Sequence, residues 1–232
     1  MSSPNPNFQL FPCTVADVPD MINIYMSAFA DDYFARYTLP PDQIAPEEWQ
    51  RWLTIRFTKV FSKPEYRVFK ITDPNTGKAC AFIRWAYPHV FTEEQKAQRK
   101  QEEKELERRK KEGTDDSWPR GANLEALDAK FSALDRIREE TVDETNTYVA
   151  HLLAVHQDYQ RRGLGPKLLK HTLDLADAEG RLVYIEATTA GYPVYAKLGF
   201  KEINAISVDL SKYGGKEPGV NRVMLREPQK VS

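Results

Sequence analysis

Two glycines and two arginines stand in a segment whose spacing suits phosphate binding. The segment follows the hydrophobic run 148–155 and consists of Gln160, Arg161, Arg162, Gly163, Leu164, Gly165 and Pro166. When a strand enters a glycine-containing turn that opens a helix, several backbone N–H groups and the positive end of the helix dipole point at one place. Glycine has no Cβ to hold a pyrophosphate away from those N–H groups. The segment therefore predicts a loop that binds the phosphates of a cofactor.

The spacing of this loop and of a later element resembles the GNAT superfamily of acetyl-CoA-dependent N-acetyltransferases. The loop has the pattern Gln-x-x-Gly-x-Gly, and about thirty residues later comes a Tyr-x-x-x-Gly-Phe element that starts at Tyr195. Both match the family in order and in spacing. A Rossmann dinucleotide site is the competing interpretation of a glycine-rich turn, but it expects a third glycine where Leu168 stands.

The resemblance implies how a cofactor would be held. The backbone of Leu153, Ala154 and Val155 would pair with the pantetheine arm of acetyl-CoA, and the loop from Gln160 to Pro166 would surround the pyrophosphate. At least one of Arg161 and Arg162 is expected to contact a phosphate. The alternative is that Leu153 and Val155 are simply core residues and that the arginines are solvated.

The resemblance also implies two catalytic residues. Tyr195 matches the tyrosine that donates a proton to the departing thiolate of CoA, and a phenol with a reference pKa near ~10 is an apt acid for that step. His151 lies in a run similar to the corresponding strand of serotonin (arylalkylamine) N-acetyltransferases, where a histidine is the general base. Imidazole titrates in a range useful for deprotonating an amine. A water relay in place of a direct base, and purely structural roles for both residues, stay open.

Further residues are candidates for the acceptor site by position alone. Glu186 lies on the next predicted strand and is a candidate base or amine anchor. Four aromatic residues are candidate lining residues, with a core role as the alternative for each: Phe29, Tyr33, Phe34 and Trp85.

Hydrophobic periodicity gives the elements that must position these residues. A strand, two helices and a hairpin precede residue 91, and residues 31–41 between the two helices are predicted as a loop. Residues 93–112 contain 15 charged residues among 20, so they predict a solvated helix with i,i+4 ion pairs. After residue 142 a strand, a helix, a strand, a short helix and two strands follow.

This order resembles the GNAT fold, which is α/β (α+β). The expected architecture is a central mixed, mostly antiparallel and twisted sheet of six to seven strands flanked by helices. The charged segment at about 91–142 is expected as a helical insertion between the third and fourth strands. We predict a single domain over residues 1–232.

Composition excludes several function classes. The chain has 232 residues, with 33 Lys and Arg against 34 Asp and Glu, which leaves a formal charge of −1. A nucleic-acid partner is not expected, because counterion release needs an excess of clustered basic charge. A membrane partner is not expected either, because no apolar run reaches the ~20 residues of a membrane helix, so the predicted location is cytoplasmic. Two cysteines and no zinc-type spacing predict no metal.

The sequence thus predicts an N-acetyltransferase that moves an acetyl group from acetyl-CoA to a primary amine. We expect a small-molecule acceptor and direct transfer in a ternary complex. Acetylation of a protein or peptide, at its N-terminus or at a lysine, is the alternative, and a non-catalytic CoA-binding module is a third. The acceptor's identity, the role of the insertion and the choice between monomer and homodimer stay open.

Overall fold

The computed structural model describes residues 8–230. Seven strands lie within that range: β1 (Gln9–Pro12), β2 (Tyr66–Thr72), β3 (Ala79–Ala86), β4 (Thr147–Val155), β5 (Leu182–Thr188), β6 (Lys201–Val208) and β7 (Gly219–Arg226). The α-helices are α1 (Val18–Ala28), α2 (Tyr33–Thr38), α3 (Pro46–Val60), α4 (Glu93–Glu112), α5 (Leu124–Thr141), α6 (Leu164–Glu179) and α7 (Tyr192–Lys197).

The seven strands form one sheet in the order β1-β2-β3-β4-β5-β7-β6. Strands β4 and β5 are parallel, and every other neighbouring pair is antiparallel. Helices cover both faces: α1, α3 and α5 contribute to one core cluster, and α6 and α7 contribute to the other. This is the fold class that the sequence predicted. The single-domain assignment stays a prediction.

The parallel pair separates part-way along its length. Residues Thr147 to Ala150 of β4 pair with Leu182 to Ile185 of β5, and the pairing ends there. Strand β4 continues to Val155 and β5 continues to Thr188, so the two strands diverge beyond residue 150. On the β5 side, residues 151–155 therefore face a gap in the sheet, while residues 152–155 stay paired with β3 on the other side.

A β-bulge in β4 lies where this gap begins. In the pairing with β3, Arg84 is opposite Leu152 and Trp85 is opposite Ala150, so His151 has no partner of its own. Side chains normally alternate between the two faces of a strand, and an extra residue breaks that alternation. Val149 and Leu152 consequently contact the same core cluster although they are three residues apart.

The predicted insertion lies between β3 and β4, and its two helices differ in packing. Helix α4 has no buried residue and is held by ion pairs such as Arg108 with Glu105, at 2.7 Å. Helix α5 buries Leu127 and Leu134 against the sheet. The backbone N–H of Asn123, at its N-cap, donates to the carbonyl of Thr38 at the end of α2, at 2.8 Å.

The prediction of a loop over residues 31–41 was wrong in part, because α2 occupies the middle of that segment. Asp32 caps this helix, since its Oδ1 accepts a hydrogen bond from the backbone N–H of Ala35 at 2.8 Å. A helix of six residues, three of them aromatic, is too short for its hydrophobic residues to show a clear helical period in the sequence. Among residues 8–230, no helix is long and apolar enough to cross a bilayer.

Candidate active site

The glycine-containing loop adopts the geometry expected of an anion site. Arg161 and Gly163 both have a left-handed backbone conformation, with φ of 59° and 78°. A non-glycine residue with positive φ is uncommon, and such conformations concentrate at functional sites. Lys167 donates the first hydrogen bond of α6 to the carbonyl of Gly163 at 3.2 Å, so the N–H groups of Leu164 and Gly165 have no helical acceptor.

The space beside this loop is open, and cations lie next to it. A Cβ added to Gly163 would meet no protein atom within 4 Å, so the glycine faces open space. Arg161 and Arg162 are exposed next to it. Arg162 is oriented by a hydrogen bond to the carbonyl of Asp158 at 2.7 Å and by the ring of Tyr159. Free N–H groups, a positive helix end and two cations are the donors that phosphate groups require.

Other hydrogen bonds fix the loop to its surroundings. The side-chain amide of Gln160 donates to the carbonyl of Val155 at 3.1 Å, which closes the turn after β4. Gln157 bonds to the last turn of α1 and to the segment after it: its backbone N–H donates to Ser27 Oγ at 3.0 Å, and its Nε2 donates to Asp31 Oδ2 at 2.9 Å. The phosphate loop and the segment leading to α2 are therefore held as one unit.

The gap between β4 and β5 opens into a cavity of about 170 Å³. Leu153 and Tyr195, which pack with the core on the α6 side, line it together with Leu152 and Leu134 from the α5 side. The cavity thus passes through the sheet where the strands diverge. Its lining also includes His151 and Glu186, so the structure brings the two predicted catalytic residues and the predicted acidic residue to one space.

Tyr195 lies in α7 and lines the cavity. Its ring packs edge-on against Phe200, with the centroids 6.0 Å apart. Gly191 leaves room for the ring, since a Cβ there would approach Tyr195 Cε2 to 2.9 Å. Burial raises the pKa of Tyr195 to about 12. The phenol is therefore protonated at neutral pH and can act as a hydrogen-bond donor or an acid.

His151 projects from the bulge of β4 toward the helices above the gap. Its ring meets that of Tyr66 edge-on, with the centroids 5.4 Å apart. Burial and the positive charges of Arg84, Arg138 and Arg56 hold the pKa of His151 well below its usual value of 6.5. The imidazole is neutral at physiological pH, so it can accept a proton. It also lines a second cavity of about 160 Å³ on its other side.

Glu186 is bound to a residue of the insertion. Its Oε1 accepts hydrogen bonds from Arg138 Nε at 3.0 Å and from Arg138 Nη2 at 2.6 Å, and a third from the hydroxyl of Tyr184 at 3.1 Å. Helix α5 is thereby joined to β5 at the edge of the cavity. This ion pair orients the carboxylate and neutralises its charge.

The aromatic candidates divide into two pairs. Phe29 and Phe34 line the cavity. Tyr33 does not, because its hydroxyl turns to the chain after β6, where it accepts from the N–H of Glu217 at 2.8 Å. Trp85 is also placed away from the cavity: it is fully buried on the α6 side of the sheet, where it packs with Leu168.

Sequence reasoning missed three basic residues at this site. Arg56 of α3 and Lys130 of α5 line the cavity, and Arg84 of β3 lies close to His151. Trp118, from the segment between α4 and α5, also lines it. The amphipathic pattern of α5 was a usable signal, because Lys130 stands beside its apolar face. Nothing in the sequence indicated that Arg56 and Arg84 meet.

The comparison with known families agrees with this site. Residues 130–202, which run from the middle of α5 into β6, match the model of the family described as an acetyltransferase (GNAT) domain. Residues 130–202 thus carry the sequence pattern of a GNAT acetyltransferase domain. The matched segment includes β4, the phosphate loop, α6 and Tyr195. The protein is accordingly an acyltransferase enzyme, and acetyl-CoA is its co-substrate.

Solved structures support the GNAT fold over the length of the chain. A Drosophila melanogaster polyamine N-acetyltransferase has a TM-score of 0.59 at 13% identity, with 95% of this chain and 100% of that chain covered. A Corynebacterium glutamicum structure described as histone acetyltransferase HPA2 and related acetyltransferase has a TM-score of 0.56 at 16% identity, with 97% and 98% covered. The C-terminal condensation domain of Ebony has a TM-score of 0.65 at 10% identity, with 95% and 99% covered.

Identities this low establish the fold alone. No curated protein matches the chain in sequence. Within residues 8–230, no group of three or more His, Cys, Asp and Glu side chains is arranged to hold a metal ion.

Proposed function

We propose that this enzyme transfers the acetyl group of acetyl-CoA to the primary amine of a small molecule, by direct transfer in a ternary complex. The cavity between β4 and β5 is the observation that carries the proposal, because the phosphate loop, Tyr195 and His151 all open onto it or onto the gap that leads to it. When bound, acetyl-CoA supplies a thioester that an amine can attack.

The binding roles follow from the free backbone and side-chain donors of this chain. Beyond Ala150, the side of β4 that faces the gap has no pairing strand, so the stretch with Leu153, Ala154 and Val155 can receive an extended ligand there, as an edge strand does. The loop from Gln160 to Pro166 presents N–H groups and two guanidinium groups to the phosphates. Together they would fix the cofactor at both ends and place the thioester at the cavity.

In the transfer step, the amine nitrogen forms a bond to the thioester carbonyl carbon, and the carbon–sulfur bond breaks. Tyr195 donates its phenolic proton to the leaving sulfur, and the proton of the attacking amine leaves through His151. The low pKa of His151 means that the ring passes this proton on instead of keeping it. The second cavity, which Glu65 and His89 also line, gives the proton a route to solvent.

The volume of the cavity and the wall that α5 forms beside it favour a small-molecule acceptor and not a peptide. A volume near 170 Å³ is close to the ~150 Å³ of an engineered cavity that binds benzene. Helix α5 forms one wall with Leu127, Phe131 and Leu134. The insertion therefore narrows the acceptor site, whereas a peptide needs an open groove.

An acetyl-transfer assay tests the proposal. Purified enzyme is mixed with acetyl-CoA and either a panel of small primary amines or a panel of peptides, and CoA release is followed through its free thiol. We expect release with at least one small amine and none above background with peptides. Turnover restricted to peptides would reassign the enzyme to protein acetylation. Acetyl-CoA binding without any turnover would instead indicate a silent CoA-binding module.

A further inference from the structure

Two positive and two negative side chains line the acceptor cavity, and a third cation lies near it. Arg56 and Lys130 line it, and Arg84 lies behind His151, where its charge acts on that ring. The acidic residues that line the cavity are Asp32 and Glu186. Both carboxylates already have partners, because Asp32 caps α2 and Glu186 is bound to Arg138.

Arg56 is held in place without a hydrogen-bond acceptor. Its guanidinium lies over the ring of Trp52 at 5.2 Å and over that of Trp118 at 5.5 Å, and its Nε is buried with no partner. Among the ion pairs of residues 8–230, none involves Arg56 or Arg84. Buried polar groups in native proteins are nearly always hydrogen-bonded, so an unpartnered guanidinium at a cavity indicates a ligand that accepts.

Arg84, like Arg56, has an aromatic ring beside its guanidinium and no hydrogen-bond partner for its Nε. Its guanidinium lies 5.5 Å from the centre of the Tyr66 ring, and its Nε is also buried without a partner. Burial, followed by the charge of Arg56, lowers the pKa of Arg84 to about 10. Two cations that repel each other in a partly buried site are stabilised when an anion binds between or beside them.

Lys130 adds a third positive charge from the insertion. Its Nζ lies 4.1 Å from the centre of the Phe34 ring and 5.4 Å from that of Phe131. Burial lowers the pKa of Lys130 to about 8, and the charges of Asp32 and Glu186 oppose that shift only in part. The rings of Phe34 and Phe131 give the cavity an apolar part.

We propose that the acceptor is an amino acid: a small primary amine that also bears a carboxylate and an apolar or aromatic side chain. Arg56 binds the carboxylate, Arg84 and Lys130 supply positive potential, and Phe29, Phe34 and Phe131 contact the side chain. This inference rests on the proposed function, since it assigns the substrate class of that same site. It disfavours polyamines, whose extra positive charges would meet cations.

Matched acceptors isolate the contribution of the carboxylate. Phenylalanine, phenylalaninamide and phenethylamine share a ring and a primary amine, and only phenylalanine carries the anion. We expect kcat/KM for phenylalanine to exceed that for each of the other two by about tenfold or more, as a charge-assisted hydrogen bond provides. The same order is expected in binding, measured by calorimetry with CoA present.

Three variants assign the preference to Arg56. Arg56→Gln removes the charge and should reduce the phenylalanine preference to near one, mainly through KM. Arg56→Lys keeps a charge and should restore part of the preference, which a merely structural role would not do. Arg136→Gln, at an exposed position of α5, is the control and should retain it. Affinity for acetyl-CoA should stay within about twofold in all three.

The outcomes separate this inference from the proposed function. If phenethylamine or phenylalaninamide binds and reacts as well as phenylalanine, the amino-acid assignment is overturned while the transferase proposal stands. If Arg56→Gln weakens acetyl-CoA binding instead, the arginines serve the cofactor and the assignment also fails. Preferential binding of phenylalanine without acetylation would support the anion site and contradict the proposed function.

Discussion

At the residue scale, the protonation of Tyr195 decides its proposed role. Burial raises its pKa to about 12, so the phenol keeps its proton at neutral pH and can donate it in a hydrogen bond to the leaving sulfur as the carbon–sulfur bond breaks. Removing the hydroxyl while keeping the ring should affect the chemical step and spare the packing against Phe200.

We therefore expect Tyr195→Phe to lower kcat by about 10²-fold or more, the usual range for loss of a general acid. The dissociation constant of acetyl-CoA, measured by calorimetry, should change by less than about twofold. Tyr192→Phe removes a phenol from the same helix and should leave kcat unchanged. A Tyr195→Phe enzyme with wild-type kcat would remove this residue from the mechanism.

The left-handed glycine of the phosphate loop permits a similarly matched comparison. Gly163 and Gly113 have φ of 78° and 68°, and a Cβ at either position meets no protein atom within 4 Å. Gly113 ends α4, far from the loop in sequence, so alanine at the two positions carries the same backbone cost of about 1–2 kcal/mol. The difference is that Gly163 is proposed to lie beside the pyrophosphate of the cofactor, whereas Gly113 is not.

Gly163→Ala and Gly113→Ala should accordingly lose similar amounts of unfolding free energy in urea titrations. Calorimetry with acetyl-CoA should show weakened binding, by about tenfold or more, for Gly163→Ala alone. Equal affinities for the two variants would argue against cofactor phosphates at this loop.

At the element scale, the two helices of the insertion have different physical roles. Helix α4 has no buried residue and carries ion pairs along its exposed surface. Ion pairs at a protein surface contribute little to stability. Helix α5 belongs to the core and walls the acceptor cavity. Leu106 on α4 and Leu134 on α5 have exposed fractions of 38% and 1%.

Truncating each leucine should reveal that difference. We expect Leu134→Ala to lose about 2–5 kcal/mol of unfolding free energy, because it leaves a hole in a packed core, and to raise KM for the acceptor. Leu106→Ala should change the unfolding free energy by no more than about 0.5 kcal/mol. Equal losses, measured by chemical denaturation, would contradict the assignment of α5 alone to the core.

At the scale of the whole molecule, the burial of His151 and the cations around it couple folding to pH. Its pKa lies well below 6.5 in the folded protein, whereas the unfolded chain has the ordinary value. As the pH falls through about 6.5, the unfolded state takes up the proton first, so stability decreases. The decrease continues until the pH reaches the folded-state pKa.

We expect the Tm to fall between pH 7.5 and pH 5.5, and we expect His151→Gln to flatten this part of the profile. His171→Gln, an exposed site on α6, should leave the slope as in the wild type. Differential scanning calorimetry over this pH range provides the measurement. If the slope in His151→Gln equals that of the wild type, burial and the nearby arginines do not lower the pKa of this imidazole in the folded protein.

The local features of this protein could be predicted from its sequence because they depend on neighbouring residues. The phosphate loop follows from glycine spacing after a hydrophobic strand, and most strands and helices follow from hydrophobic periodicity. The charged helix α4 follows from composition. The resemblance to GNAT proteins then supplied the sheet architecture and directed attention to Tyr195 and His151.

Only the tertiary structure decided what lies around the acceptor. The bulge that leaves His151 without a partner comes from the register between β4 and β3. Register depends on how strands distant in the sequence pair with each other. Arg56 and Arg84 come together from α3 and β3, and α5 of the insertion places Lys130 at the same cavity. Periodicity records which face of an element is buried, but not which charges the packed elements bring together, so substrate class could be inferred only from the folded chain.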